Sequence, residues 1–457
     1  MPNTSTNGKA KLLTGPVGST LFRMALPMVA GVLAMMLYNI ADTYFVGQLG
    51  GDQLAAMGFT FPITHMMSSV ALGLMVGAST VLARLIGSGD FGQVQRITTD
   101  GLLLSGCVIF VLGGVGILFL DPIFSAMGAQ PHLLPYIRQY MVPYLAAVAL
   151  LAVPMVANGA IRATGDTKVP SLIMITSALV NVVLDPLLIF GPGPFPRLEL
   201  RGAAYASILS WVFTFSAALL VLGKREHMLT HPFVSVRTIL KSWGTILTVA
   251  VPIALTNLLV PVAIACLTAM MATFGPYSVA GFGVGARVEA LSLIGPFALT
   301  AALSPFVGQN FGAGDHARVR AALRAAVLGC WGWGLVACIV LAVSAKWVAA
   351  IFTDIPEIQQ VIVWYLWVVP WSYGAFATCI QVTTTLNALH RPMLSTLVNL
   401  VRMFGLTLPL AYLGSRWFQQ PGLFAGIAVS NLVTAVGSVA FIVWILRGYT
   451  DLDSATG

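Results

Sequence analysis

Between residues 18 and 446 the chain is a succession of apolar stretches of 20 residues or more, separated by short polar or Gly/Pro-containing breaks. Lipid offers no partner to a backbone N–H or C=O, so stretches of this length cross a bilayer as helices that bond their own backbone. Only 8% of the 457 residues are charged, about a third of the share usual in a soluble domain. A water-soluble globule is thereby excluded. The 45 Gly and 25 Pro are scattered through Leu, Val, Ala and Ile rather than clustered, which excludes low-complexity disorder as well.

The breaks predict twelve spans, near 18–47, 52–82, 96–120, 134–158, 166–190, 200–222, 238–270, 277–308, 319–343, 361–388, 392–413 and 422–446. Several exceed the roughly 20 residues that a perpendicular helix needs, so tilt, bending or extension beyond the bilayer is expected. Pro27, Pro62, Pro154, Pro252 and Pro261 are candidate bends. With a cytoplasmic N-terminus, 16 Lys and Arg fall on that side and 5 on the other, and Arg287 and Arg402 stay inside spans. Both termini are therefore expected in the cytoplasm. The net charge of +8 is spread singly over many loops, a topology signal rather than a nucleic-acid face. Residues 1–11 are polar and carry no signal-peptide pattern.

A long repeat runs through the chain. Ala25-Leu26-Pro27 aligns with Ala250-Val251-Pro252 and, without a gap, Gly50 meets Gly275, Gly58 meets Gly283, and Gly87-Ser88-Gly89-Asp90 meets Gly312-Ala313-Gly314-Asp315. The offset is 225 throughout, and Arg201-Gly202 resembles Pro421-Gly422 at a slightly smaller one. The expected organisation is a tail at 1–17, a lobe at 18–223, a basic loop at 224–237, a second lobe at 238–446 and a tail at 447–457. Six spans per lobe give both lobes the same orientation, a pseudo-two-fold arrangement used by alternating-access carriers.

An ionised carboxylate is costly in hydrocarbon, so an acid inside a span asks for a function. Asp42, Asp185 and Glu289 are the acids clearly within spans. Asp42 lies about eight residues, or roughly 12 Å of helix, below the outer end of span one, and Asp185 about six residues, roughly 9 Å, below that of span five. The two therefore share a depth. Asn181 is one turn before Asp185 on the same face, and Pro186 loosens the helix there. Such a set suits either a small hard cation such as Na+, held by Asp42, Asn181 and Asp185, or a proton held by crowded carboxyls. Each Asp as a merely satisfied structural acid is the bland alternative. Glu289 and Arg402 form a possible polar pair in the second lobe, with a structural ion pair and a coupling role equally compatible.

Other chemistries lack their residues. Cys107, Cys266, Cys330, Cys338 and Cys379 make no CxxC pair and read as packing thiols. No HExxH, Walker-type loop or Cys/His cluster is present, so a metal enzyme and an ATP motor are not expected, and no cofactor is called for. His65 is the one histidine within a span and reads as packing; the glycine string Gly281-Phe282-Gly283-Val284-Gly285 reads as close helix contact. Met24, Met28, Met35, Met36 and Met174 would give a soft wall to any cavity they face.

The run Tyr38-Asn39-Ile40-Ala41-Asp42-Thr43-Tyr44-Phe45-Val46-Gly47 resembles the first-helix signature of the MATE (multidrug and toxic compound extrusion) transporters. So do Asn158-Gly159-Ala160-Ile161-Arg162-Ala163-Thr164-Gly165-Asp166-Thr167-Lys168-Val169-Pro170, then Asn181 to Pro186, and Val307-Gly308-Gln309-Asn310-Phe311-Gly312-Ala313-Gly314. Within the family the chain is similar to the DinF-type or MepA-like bacterial and archaeal branch. The resemblance implies an all-α fold of twelve helices in two bundles forming a V, and export of amphipathic or cationic drug-like compounds against H+ or Na+. It implies ion coupling at Asp42, Asn181, Asp185 and Ser207, where relatives often have Thr, and cavity-lining roles for Tyr38, Tyr140, Asn158 and Met174. It also implies a monomer surrounded by lipid, without nucleic acid. Second-lobe acids in spans seven and ten, which the NorM-like branch carries, are missing here from Thr256–Leu267 and Ser372–Leu386. A flippase for lipid-linked oligosaccharides shares the architecture but would want a strongly basic cavity, and only Arg287 and Arg402 are fixed cations within spans.

Overall fold

The computed structural model describes residues 10–232 and 235–456, with side chains through Gly448. Its described residues contain helices and no strand. In order these are α1 (Val17–Gly47), α2 (Gly51–Ser88), α3 (Phe91–Leu118), α4 (Leu120–Ala126), α5 (Leu134–Ala147), α6 (Ala149–Ala163), α7 (Lys168–Phe190) and α8 (Leu200–Leu220). There follow α9 (Val236–Ala272), α10 (Pro276–Ser292), α11 (Ile294–Gly312), α12 (His316–Phe352), α13 (Pro356–Val368), α14 (Tyr373–Ala388), α15 (Pro392–Leu400) and α16 (Leu408–Thr456). Among the described residues nine helical stretches are long and apolar enough to cross a membrane, and two further passes are bent pairs, α5 with α6 at 45° and α10 with α11 at 44°. The stretch from α15 through α16 breaks at Phe418–Gln419, where the backbone leaves helical geometry, and so supplies two passes. Twelve passes result. The sharp bends sit at Val148 and Leu293, while Pro27, Pro62 and Pro154 lie inside continuous helices.

The repeat is structural down to its caps. Gly89 and Gly314 take the left-handed conformation at φ 80° and 79°, a backbone state that glycine adopts without penalty. The next residue caps the following helix in both halves: Asp90 accepts from Gln93 N and Asp315 from Arg318 N. Before the last pass of each half, Glu199 and Gln419 share an unusual backbone, with φ 52° and 54°.

The chain packs as two units. The first comprises Leu26–Ala254 with a short N-terminal piece, the second Leu12–Ala25 and Leu255 onward, so α1 and α9 each contribute to both. In the first unit, the early part of α9 lies against α2 because Gly73 and Gly77 leave room for Ala254 and Ala250. A Cβ at Gly73 would come within 2.8 Å of Ala254 Cβ, and one at Gly77 within 2.9 Å of Ala250 Cβ. This is the small-residue spacing by which helices approach in lipid. Arg96 and Asp100, one turn apart on α3, form a buried ion pair in the same unit, and Arg96 also donates to the His231 carbonyl. Asp100 is fully buried near the start of α3, an acid that the sequence pattern did not single out.

In the second unit residues 12–15, just before α1, are pinned. Leu12 N donates to Gln309 Oε1 at 3.2 Å, Asn310 Nδ2 donates to the Leu12 carbonyl at 3.2 Å, and Arg318 donates to the carbonyls of Leu12, Thr14 and Gly15. Asn310 Oδ1 in turn accepts from Arg318 Nε at 2.8 Å, so the amide and the guanidinium hold this segment together.

Candidate ion-coupling site

Three helices of the first unit build the site. On α1, Tyr38 and Asp42 are one turn apart and face inward together; Asp42 is buried and Tyr38 half-buried. On α7, Asn181 and Asp185 repeat that spacing, and both are fully buried. On α8, Ser207 is brought in by Gly202, where a Cβ would stand 2.3 Å from the Leu188 carbonyl of α7. Only a residue without a side chain allows α8 so near.

The side chains then meet. Tyr38 Oη and Ser207 Oγ lie 3.1 Å apart in a hydrogen bond. With the Asn181 amide oriented to match donors with acceptors, its nitrogen donates to Asp185 Oδ2 at 3.0 Å and its oxygen accepts from Ser207 N at 3.2 Å. The sequence-expected residues Tyr38, Ser207, Asn181 and Asp185 are therefore one connected network. Asp42 is close enough to interact electrostatically with Asp185, Tyr38 and Tyr140. Asp42 Oδ1 and Asp185 Oδ1 are buried and accept no hydrogen bond.

Of the expected cavity-lining residues, Tyr140 stacks on Tyr144 at 5.8 Å, and Tyr144 meets Trp211 edge-on at 5.2 Å. Met174, half-buried on α7, lies against Gly31 of α1. Asn158 on α6 is buried with Oδ1 unpartnered, and none of its contacts joins the network. Tyr144 and Trp211 were not foreseen, although each follows a chosen residue, Tyr140 or Ser207, by one helical turn. His65 stacks on Phe61 at 6.0 Å within its own helix.

In the second unit Glu289 and Arg402 form no ion pair within 4 Å. Glu289 accepts from the Tyr365 hydroxyl, and the Arg402 guanidinium lies over the Phe376 ring at 4.9 Å. The hydroxyl satisfies the acid at closer quarters, leaving Arg402 to interact with it only through space.

A family model, MatE, matches residues 27–187 and again 252–413, two copies in the register of the internal repeat. The chain belongs to the MATE family. Its members are transporters, not enzymes. This MATE chain is 40% identical to a FAD transporter of Shewanella oneidensis over 93% of its own length and 94% of that protein's. It is 25% identical to the probable multidrug resistance protein YoeA of Bacillus subtilis, covering 82% and 84%. The crystal structure of the Vibrio cholerae MATE transporter VcmN in its bent form superposes with a TM-score of 0.90 at 27% identity, covering 98% of this chain and 99% of that one.

The chemistry open to the site follows from its donors. Two buried carboxyls, each with one bare oxygen, can lose their charge to a proton or share it with a cation; left ionised together, they are destabilising. Asn181 presents nitrogen to Asp185 and spends its oxygen on Ser207 N. A cation beside Asp185 would then find carboxylate and hydroxyl oxygens but no amide oxygen. Among the described residues no group of three or more His, Cys, Asp or Glu gathers for a metal.

Proposed function

We propose that this MATE transporter is a cation-coupled efflux antiporter of the inner membrane, working by alternating access, with both termini cytoplasmic and its ion chemistry in the first lobe. The observation that carries the reading is the pair of buried carboxyls with bare oxygens on α1 and α7, Asp185 bonded into the Asn181, Ser207 and Tyr38 network and Asp42 one turn from Tyr38. We take H+ as the coupling ion, since two buried carboxyls with bare oxygens are neutralised by protons without any further ligand. A proton entering from outside neutralises Asp42 and Asp185, the packing of α1 against α7 changes, and bound cargo is released outward. A ligand drives this only by binding the two states unequally.

For the cargo, the multidrug relatives support amphipathic or cationic drug-like compounds. A second reading, a flavin dinucleotide, is favoured by the relative at 40% identity, whose name states FAD transport. The aromatic group Tyr140, Tyr144 and Trp211 suits either a planar drug or an isoalloxazine ring.

Purified protein in liposomes tests both points, with export of a fluorescent cationic drug and of FAD driven separately by a pH gradient and by a sodium gradient. Export under the pH gradient alone, lost in Asp42→Asn and Asp185→Asn, supports the proposal. Sodium-driven export, or normal proton-driven export in either variant, contradicts it.

A further inference from the structure

One groove of the repeat is treated differently in the two units. In the first, the groove between the start of α3 and the end of the sixth pass is closed by the chain that follows. Met228 is buried there, Gln95 Nε2 donates to the His227 carbonyl at 2.8 Å, and Thr230 N donates to Thr99 Oγ1 at 3.0 Å. The space left is about 10 Å³.

The repeat places Arg320 and Arg324 of α12 where Gln95 and Thr99 stand, at the offset of 225. Leu446 and Arg447 of α16 stand where Glu226 and His227 do, at the offset of 220 shared by Glu199 and Gln419. Here α16 continues as helix to Thr456 instead of turning back over the groove. The result is an open cleft of about 330 Å³ lined by Arg320, Leu323, Arg324, Val443, Leu446 and Arg447. Arg320 Nη1 is buried without a hydrogen-bond acceptor.

The position of the cleft is set by topology. Pass nine begins, and pass twelve ends, on the membrane side that carries both termini, so the three guanidinium groups sit at headgroup level. A guanidinium matches phosphate oxygens in pairs, and basic pockets between spanning helices select anionic headgroups. The apolar part of the lining continues onto exposed Val443 and Trp444 of α16, a surface that acyl chains cover. A soluble phosphate would leave that wall bare.

We propose that this cleft binds the phosphate of an anionic phospholipid, with Arg320 and Arg324 on the headgroup, Arg447 lining the cleft beside them, and the acyl chains along α16. Native mass spectrometry of the purified, full-length protein titrated with phosphatidylglycerol or phosphatidylcholine tests it. Wild type should hold phosphatidylglycerol about tenfold more tightly than phosphatidylcholine, and the triple variant Arg320→Gln/Arg324→Gln/Arg447→Gln should lose that preference. Arg324→Gln alone, at an exposed position, should weaken it about threefold and decides the matter if the triple variant fails to melt cooperatively. Unchanged preference in the variants overturns the proposal. So does displacement of the lipid by inorganic phosphate, which would mark a free-anion site. A strong gain in lipid binding on truncation after Gly448 would show the acidic tail, with Asp451 and Asp453, to be the occupant, and would overturn it too.

Discussion

At the scale of the residue, the two aspartates carry the chemistry and their neighbours set its terms. Asp185→Asn replaces a buried acid with a neutral side chain of the same shape, so we expect an unchanged or raised melting temperature together with loss of gradient-driven export; unfolding of the variant would make Asp185 structural. Ser207→Ala removes the partner of Tyr38 Oη but leaves the Ser207 N–H on Asn181. Its expected cost is about 1 kcal/mol in thermal or denaturant unfolding, with export reduced but not abolished. Asp100, by contrast, is spoken for by Arg96. Arg96→Met should destabilise by roughly 3–5 kcal/mol, because it strands a buried carboxylate, and a normal unfolding curve would contradict the buried pair. The spacing of Asn181 and Asp185 was legible in the sequence, since residues one turn apart share a helix face whatever the tertiary fold. That Asn181 turns its nitrogen to Asp185 was not, because amide orientation is decided by the Ser207 backbone from another helix. The Arg96/Asp100 spacing carried the same one-turn signal and was passed over, lying near a span end where charge is ordinary.

At the scale of the element, helix contacts in this chain are governed by where side chains are missing. Gly77 on α2 admits Ala250 of α9, and a larger residue has no space to take. Gly77→Val should cost about 1–3 kcal/mol by overpacking, read as a lower melting temperature with reduced folded yield. A second elementary device is the pinned segment 12–15. Arg318 gathers the carbonyls of Leu12, Thr14 and Gly15, so Arg318→Ala should make the segment before α1 susceptible to limited proteolysis where wild type resists; equal resistance would show the anchor to be redundant. The spans themselves were plain from hydropathy, although passes nine and twelve run on to Phe352 and Thr456, well past the expected ends at 343 and 446. Their bends were not. Prolines pointed to Pro27, Pro62 and Pro154, yet the chain breaks at Val148 and Leu293, since a proline ring can be absorbed in a continuous helix when neighbours satisfy the freed carbonyl. Ser171 Oγ, donating to the Pro27 carbonyl, ties α7 to α1 beside that ring.

At the scale of the whole molecule, the duplication is strict in backbone and loose in chemistry. Caps, left-handed glycines and the strained residue before the last pass recur at fixed offsets, which is why the repeat could be read from a few glycines and aspartates. Function has drifted apart between the halves. Tyr140 of the first half, beside the acid pair, corresponds to Tyr365 of the second, which bonds Glu289. Glu289 has Oε2 held by the Tyr365 hydroxyl and is not one of a pair of acids, so Glu289→Gln should keep export within a few-fold of wild type while Asp42→Asn abolishes it. Equal loss in both variants would place coupling in both halves.

The central claim is that proton and cargo compete through the carboxyls of α1 and α7. The most direct measurement is proton release on cargo binding, followed with an indicator dye in weakly buffered, detergent-solubilised protein. The account predicts uptake of cargo with release of protons in wild type, and cargo binding without release in Asp42→Asn/Asp185→Asn. Cargo binding with no proton released from wild type, or with the same release from the double variant, would contradict it.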